Sequence, residues 1–181
     1  MLNYFKLKYK NFSEKKISYS YGGIDALINN IFKKQSFGFY VDVGCNHPIK
    51  NNNTYLLYKR GWHGINIDVD LKNIETFNYA RPQDYNVNIG VSNKEGVEKL
   101  FFYHNKSSIN TLNENVNKYQ KANISQIKHV NTQTLNQILD TSAFDNFNID
   151  FLSIDIEGDE MKVLQNFNFL KYSPKVIVIE F

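Results

Sequence analysis

Carboxylates that follow apolar runs are the residues of this 181-residue chain best placed to do chemistry. In Phe39–Pro48, a predicted buried strand ends in Asp42 and breaks at Gly44, where an open α/β sheet typically presents a ligand site. A pyrophosphate-binding turn would have further glycines and no anion two residues before the first one. Asp42 therefore favours a cationic ligand.

A second acid, Asp68, ends the predicted strand Gly64–Asp68. A carboxylate there can accept the hydroxyl hydrogens of a ribose, as the acid of dinucleotide-binding folds does. Asp70 is an alternative, because a two-residue shift of the strand boundary keeps the same face. Any of these acids could instead cap a helix or lie in a solvated loop. A cationic ligand that carries a ribose is S-adenosylmethionine, and the acids predict a site for it.

A third group of acids, in Asp150–Glu160, places Asp155 and Glu157 at the end of another buried strand. The carboxyl ends of strands in an open α/β sheet face one crevice, so acids distant in sequence converge there. If the acceptor of a methyl group from S-adenosylmethionine is a hydroxyl, it must lose its proton, and the candidates for the general base are His47, Asp155 and Glu157. We narrowly prefer His47, because its reference pKa of about 6.5 is nearest neutrality. Its alternative is a loop residue hydrogen-bonded to the backbone.

Strand and helix patterns alternate around these residues. The predicted strands are Phe39–Asp42, Gly64–Asp68, Tyr85–Val91, Ile149–Asp155 and Lys175–Phe181, and the predicted helices are Ile24–Lys34, Asn53–Arg60, Leu71–Ala80, Thr132–Leu139 and Asp159–Asn166. Val97–Tyr103 is predicted as an added strand, antiparallel to its predecessor. The polar segment His104–Gln126 is a lid over the site or a mobile surface loop. The alternation predicts an α/β fold with a Rossmann-like, doubly wound, mostly parallel sheet.

Composition indicates one ordinary globular domain, with 42% hydrophobic and 22% charged residues. We predict an N-terminal arm and leading helix over 1–36 and the main domain over 37–181. The net charge of +3 comes from scattered lysines, so nucleic acid is not predicted as a partner. With Cys45 as its only cysteine, no signal-peptide pattern and no apolar run of bilayer length, the chain is expected to be cytoplasmic, without an integral membrane segment.

Four short motifs, taken in order, resemble the FkbM family of S-adenosylmethionine-dependent methyltransferases over about residues 37–181. They are Asp-Val-Gly-x-Asn at 42–46, Tyr-Lys-Arg-Gly-Trp at 58–62, Ile-Asp-Ile-Glu-Gly-Asp-Glu at 154–160 and Pro-Lys-Val-Ile-Val-Ile-Glu at 174–180. The resemblance implies the class I methyltransferase type of fold and O-methylation of hydroxyls on sugars or natural products. That fold usually continues into two more strands after Phe181, so the sheet is expected to lack its last strands here.

The resemblance also assigns roles to residues. The cofactor-binding residues would be Asp42, Gly44 and Asn46 at the methionine end, Asp68 at the ribose and Asn88 at the adenine edge. Asp155 and Glu157 would lie near the transferred methyl group. The glycine-rich turn of many methyltransferases is reduced here to Gly44.

Other interpretations stay open. Asp155, Glu157 and Glu180 carry the oxygen ligands that magnesium or calcium prefers, but no ordered ligand motif accompanies them and no metal site is predicted. The fold could instead serve an NAD-dependent oxidoreductase, which Asp42 disfavours, or a non-catalytic binding module in polysaccharide biosynthesis. The methyl acceptor, a small molecule or a glycan, and the oligomeric state are not determined by these patterns.

Overall fold

The structure, a computed structural model, describes residues 18–102, 110–113, 124–144 and 147–180. The strands are β1 (Phe39–Val43), β2 (His63–Asp68), β3 (Tyr85–Asn88), β4 (Gly90–Val91), β5 (Gly96–Phe102), β6 (Gln126–Gln133), β7 (Phe151–Ile154) and β8 (Val176–Ile179). The α-helices are α1 (Ile24–Ile31), α2 (Tyr55–Lys59), α3 (Leu71–Ala80), α4 (Leu135–Thr141), α5 (Glu160–Gln165) and α6 (Phe169–Tyr172). The first part of the predicted N-terminal arm, residues 1–17, lies outside the described residues.

The main sheet has five strands in the order β3-β2-β1-β7-β8, and every pair is parallel. The chain winds from β1 to β3 on one side and returns to β7 and β8 on the other, so the order reverses between β1 and β7. This confirms the predicted α/β fold with a Rossmann-like, mostly parallel sheet. It also brings the carboxyl ends of β1, β2 and β7 to one edge, where such sheets bind ligands.

Both faces of the main sheet are covered, so its central strands β1, β2 and β7 are buried along nearly their whole length. Val41 and Val43 of β1 belong to a core cluster that also contains Leu135 of α4 and Val163 of α5. On the opposite face, a second cluster consists of Ile28, Phe32, Tyr40, Leu57, Trp62 and Phe151. Side chains alternate across a strand, so Tyr40 and Val41 enter different clusters.

A second, three-stranded sheet has the order β4-β6-β5. Two predictions were wrong here. The strand predicted over Tyr85–Val91 is divided at Ile89 into β3 and β4. Likewise, β5 does not pair with its predecessor, because its antiparallel partner is β6. The predicted loop covers only Gln126 of β6, the predicted helix covers only Thr132 and Gln133, and no element was predicted for residues 127–131. Residues 104–109 and 114–123 of the predicted lid lie outside the described residues.

Side-chain caps fix where two of the helices begin. Asp70 precedes α3 and accepts a hydrogen bond from the Lys72 backbone N–H at 3.0 Å. Thr134 and Gln137 form a reciprocal capping box, so α4 begins at Leu135 and not at the predicted Thr132. None of the helices in the described ranges has both the length and the apolar character needed to span a membrane.

The tight pairing of β1 with β2 predicts a strong effect of a methyl group at Gly64. A Cβ at Gly64 would lie 2.1 Å from the Tyr40 carbonyl oxygen, whereas a Cβ at Gly96 would meet no atom within 4 Å. We expect Gly64→Ala to lower the free energy of unfolding by about 3 kcal/mol, because backbone must move to relieve the contact. Gly96→Ala is the matched control and should change it by less than about 0.5 kcal/mol. Urea denaturation measures both, and equal losses would contradict the close approach.

Candidate functional site

A cavity of about 400 Å³ lies where the carboxyl ends of β1, β2 and β7 meet the second sheet. Five of the predicted site residues line it together: Gly44, Asn46, Asp68, Asp155 and Glu157. Residues from the second sheet complete the lining, and they include Leu100, Phe102, Gln126 and Lys128. The remaining predicted site residues, Asp42, His47 and Asn88, are not among the residues that line the cavity.

The turn after β1 is shaped by two residues with left-handed backbone conformation, Gly44 (φ 78°) and Asn46 (φ 51°). A Cβ at Gly44 would lie 1.7 Å from the Asp155 carbonyl oxygen, so a side chain cannot be accommodated there. The Gly44 N–H donates to the Ile67 carbonyl at 2.9 Å. Glycine is therefore required both for the turn and for the contact with the end of β7.

Asp68 is held in place by three donors from the protein. Its carboxylate accepts from the backbone N–H groups of Asn46 at 2.8 Å and Asp70 at 2.7 Å, and from Asn73 Nδ2 at 3.1 Å. Burial raises the pKa of Asp68, while these hydrogen bonds act to lower it. An ionised carboxylate has about four acceptor positions, so Asp68 retains room for a ligand hydroxyl without releasing a partner.

Asp155 and Glu157 follow β7 and share a carboxylate-rich environment. Burial raises the pKa of Asp155 to about 8, and a hydrogen bond to Glu180 and the charges of neighbouring acids act in the same direction. Burial also raises the pKa of Glu157, helped by the charges of Glu180 and Glu160. Without a ligand, these effects favour the protonated form of Asp155. A nearby cation would favour its ionised form.

The backbone of this acidic turn is constrained on both sides. Glu157 has a φ of 60°, which is uncommon for a residue with a side chain and typical of strained functional sites. Thr111 Oγ1 donates to the Glu157 carbonyl at 2.7 Å. The Glu160 carboxylate accepts from the backbone N–H groups of Ile156 and Gly158, each at 3.0 Å. These contacts hold Glu157 in its unusual conformation.

Asp42 lies behind the turn instead of facing the cavity. Its carboxylate accepts from Asn52 Nδ2 at 3.0 Å and from Thr54 Oγ1 at 2.8 Å. Burial raises the pKa of Asp42, and the positive charge of Arg81 opposes this effect. Its predicted contact with the methionine end of the cofactor stays a prediction and would require a bridging water.

His47 and Asn88 also lie outside the cavity lining. His47 Nδ1 accepts from the backbone N–H groups of Ile49 at 3.0 Å and Lys50 at 3.1 Å. Burial lowers the pKa of His47 to about 4, with help from the charges of Lys50 and Arg81. His47 is thus a loop residue hydrogen-bonded to the backbone, which was the alternative to its role as general base. Asn88 is exposed, and its Nδ2 donates to the Asp68 carbonyl at 3.0 Å.

Sequence reasoning missed several lining residues. Asn73, in the first turn of α3, could have been found, since it lies three residues after Asp70 and faces the end of β2. Phe102 and Lys128 had no local signal, because they reach the cavity only through the pairing of β5 with β6. Within the described ranges, no three His, Cys, Asp or Glu residues are grouped so that they could hold a metal ion.

Residues 42–181 match the family model of the methyltransferase FkbM domain. No curated protein and no solved structure matches the chain. The matched range includes all the predicted site residues and the whole lining of the cavity described above.

The raised pKa of Asp155 predicts a pH dependence of stability. Its folded value of about 8 exceeds the unfolded value near 3.8, so wild type loses stability as pH rises from about 4 to about 8. Asparagine does not ionise. We therefore expect the free energy of unfolding of Asp155→Asn to increase relative to wild type across this window and to level off above it. Urea denaturation at several pH values measures the difference.

Asp150→Asn is the control with the opposite sign. Burial acts to raise the pKa of Asp150, but hydrogen bonds from Gln35, Lys175 and the Phe39 N–H lower it overall. Asp150 therefore stabilises the fold above its unfolded pKa, and this stabilisation is lost as pH falls through the folded pKa. Asp150→Asn should be most destabilising at neutral pH and least destabilising in acid. If the free energies of unfolding of both variants, relative to wild type, changed in the same direction with pH, the opposite pKa shifts of Asp155 and Asp150 would be contradicted.

Proposed function

Because this chain belongs to the FkbM methyltransferase domain family, we propose that it transfers a methyl group from S-adenosylmethionine to a hydroxyl oxygen. The observation that carries the proposal is the convergence of Asp68, Asp155 and Glu157, from two different strand ends, on one cavity of about 400 Å³. Carboxylates gathered in a partly dehydrated cavity favour a ligand with positive charge and hydroxyl donors.

The residues present fit this cofactor. Asp68 would accept a hydrogen bond from a ribose hydroxyl through its remaining acceptor position. Gly44 and Asn46 would face the methionine end of the cofactor. Asp42 would act on the amino group through water, and Asn88 would lie beyond the adenine edge. When bound, S-adenosylmethionine supplies an electrophilic methyl group on a sulfonium.

The chain's own contribution to the reaction is to hold the acceptor in line, exclude water and accept a proton. Among His47, Asp155 and Glu157, we assign the role of general base to the two carboxylates. Both line the cavity, whereas His47 Nδ1 already accepts two backbone hydrogen bonds. A carboxyl whose pKa is about 8 is a stronger base, once ionised, than an ordinary carboxylate.

The acceptor that we propose is a hydroxyl of a sugar, a glycan or a related small molecule, in the context of polysaccharide biosynthesis. This part rests on the family resemblance. The proposed setting is the cytoplasm, where the single buried thiol of Cys45 would stay reduced.

Calorimetric titration with S-adenosylmethionine tests cofactor binding, and two acid variants test the ribose assignment. We expect Asp68→Asn to weaken binding by about 10-fold or more, the usual effect of losing a charged hydrogen bond. Asp140→Asn is the matched control, because Asp140 is exposed, pairs with Lys171 and does not line the cavity, and it should change affinity by less than about twofold. Circular dichroism verifies that both variants are folded. Binding of NAD but not of S-adenosylmethionine by wild type would overturn the proposal.

Transfer of a labelled methyl group to a panel of sugars and glycans tests catalysis. Because Asp155 must be ionised to accept a proton, kcat/KM, which reports the ligand-free protein, should rise as pH increases through about 8. We expect Asp155→Asn to lower kcat by about 100-fold and to remove this rise. His47→Asn should leave the rise with pH unchanged. If His47→Asn instead abolishes activity, His47 is the base. Tight cofactor binding without transfer to any acceptor would favour the non-catalytic binding module.

A further inference from the structure

Arg81 is a fully buried cation that the proposed mechanism does not use. It directly follows α3, its exposed fraction is 0%, and its sequence context, Arg81-Pro82, indicates only the end of a helix. Charged side chains are almost never fully buried unless they are paired. A buried guanidinium is costly to desolvate, so its partners indicate what it holds in place.

The shortest hydrogen bonds of Arg81 go to the loop between β1 and α2. Nη2 donates to the Pro48 carbonyl at 2.6 Å and to Asn52 Oδ1 at 2.7 Å, and Nη1 donates to Thr54 Oγ1 at 2.8 Å. Its contacts with the Tyr40 hydroxyl, at 3.2 Å, and with Asn66 Oδ1, at 3.4 Å, are longer. The guanidinium therefore fixes the conformation of this loop more than that of the strands.

Asn52 continues the connection to the cavity. Its Nδ2 lies 3.2 Å from the Cys45 carbonyl and 3.0 Å from Asp42 Oδ2 and donates to both. Cys45 lies between Gly44 and Asn46, the two residues of the turn that line the cavity. Two successive hydrogen bonds thus join the Arg81 guanidinium to the backbone of this turn. The Asn46 N–H, in turn, donates to Asp68.

The shape of the guanidinium is needed for this arrangement. Its planar fork presents donors to Pro48, Asn52 and Thr54 at once, whereas an ammonium group is a compact point charge on a flexible stem. The rings of Phe77 and Tyr58 lie 4.9 and 5.0 Å from Arg81 Cζ and restrict its movement. A lysine at this position would retain the charge but lose part of the contacts.

We propose that Arg81 is a positioning residue for the cofactor cavity. Through Asn52, Arg81 holds the turn Gly44–Asn46 against Asp68. The proposal rests on the proposed function, because it assigns this turn to the methionine end of S-adenosylmethionine. Arg81 does not line the cavity and takes no part in the chemistry itself.

Arg60 offers a matched control within the same chain. Its Nη2 donates to the carbonyls of Phe32 at 2.8 Å and Gln35 at 2.6 Å, so it too holds a backbone segment through a guanidinium. That segment follows α1, and neither Arg60 nor its partners line the cavity. A general loss of stability would affect both arginine variants, whereas a loss of positioning is specific to Arg81.

The test compares Arg81→Met, Arg81→Lys and Arg60→Met in the full chain, at a temperature where denaturation curves show each to be folded. Calorimetric titration with S-adenosylmethionine should give a Kd raised about 10-fold or more in Arg81→Met, with a smaller increase in Arg81→Lys. For Arg60→Met the change should be less than about twofold, because its site is distant from the cavity. Amide hydrogen exchange provides a second readout, in which Asn46 should lose protection in Arg81→Met while Leu152 in β7 does not.

Wild-type affinity in folded Arg81→Met would overturn the proposal, as would an equal loss of affinity in Arg60→Met. Should Arg81→Met not fold, Asn52→Ala interrupts the same connection and must show the same increase in Kd and the same loss of Asn46 protection. If wild type does not bind S-adenosylmethionine, the proposed function fails. Exchange at Asn46 then decides separately whether Arg81 holds the turn.

Discussion

The absence of a side chain at Gly44 is the constraint on which the candidate site depends. The parallel pairing of β1 with β7 places the turn after β1 so close to the end of β7 that a methyl group would overlap the Asp155 carbonyl, at 1.7 Å. Because the two strand ends lie this close, the turn after β1 and the acids after β7 line the same cavity. The hydrogen bonds around Asp68 and Glu157 then add precision to an arrangement already set by the backbone.

Much of the main sheet could be predicted, because strands buried on both faces carry long apolar runs with little ambiguity. The convergence of Asp68, Asp155 and Glu157 followed from the position of strand ends alone. Asp42 shows where this reasoning stops. Side chains alternate along β1, so Asp42 shares its face with Tyr40, which packs in the cluster around Trp62. The direction of the Asp42 side chain follows from that alternation and not from its position near the end of the strand.

The second sheet was beyond sequence reasoning for a different reason. Most residues of β6 are exposed and polar, so no apolar alternation identifies the strand, and its existence depends on pairing with the distant β5. Phe102 and Lys128 consequently had no local signal of a role at the cavity. Arg81 was likewise visible only as a helix terminator, since the partners that define its environment come from separate parts of the chain.

The cavity is bounded by two sheets that, in the described part of the chain, share no strand-to-strand pairing. A molecule bound between them would contact both sheets and would act as a reversible cross-link. Part of its binding free energy then becomes cohesion between the layers. Occupancy of the cavity would therefore raise the free energy needed to separate the two sheets locally.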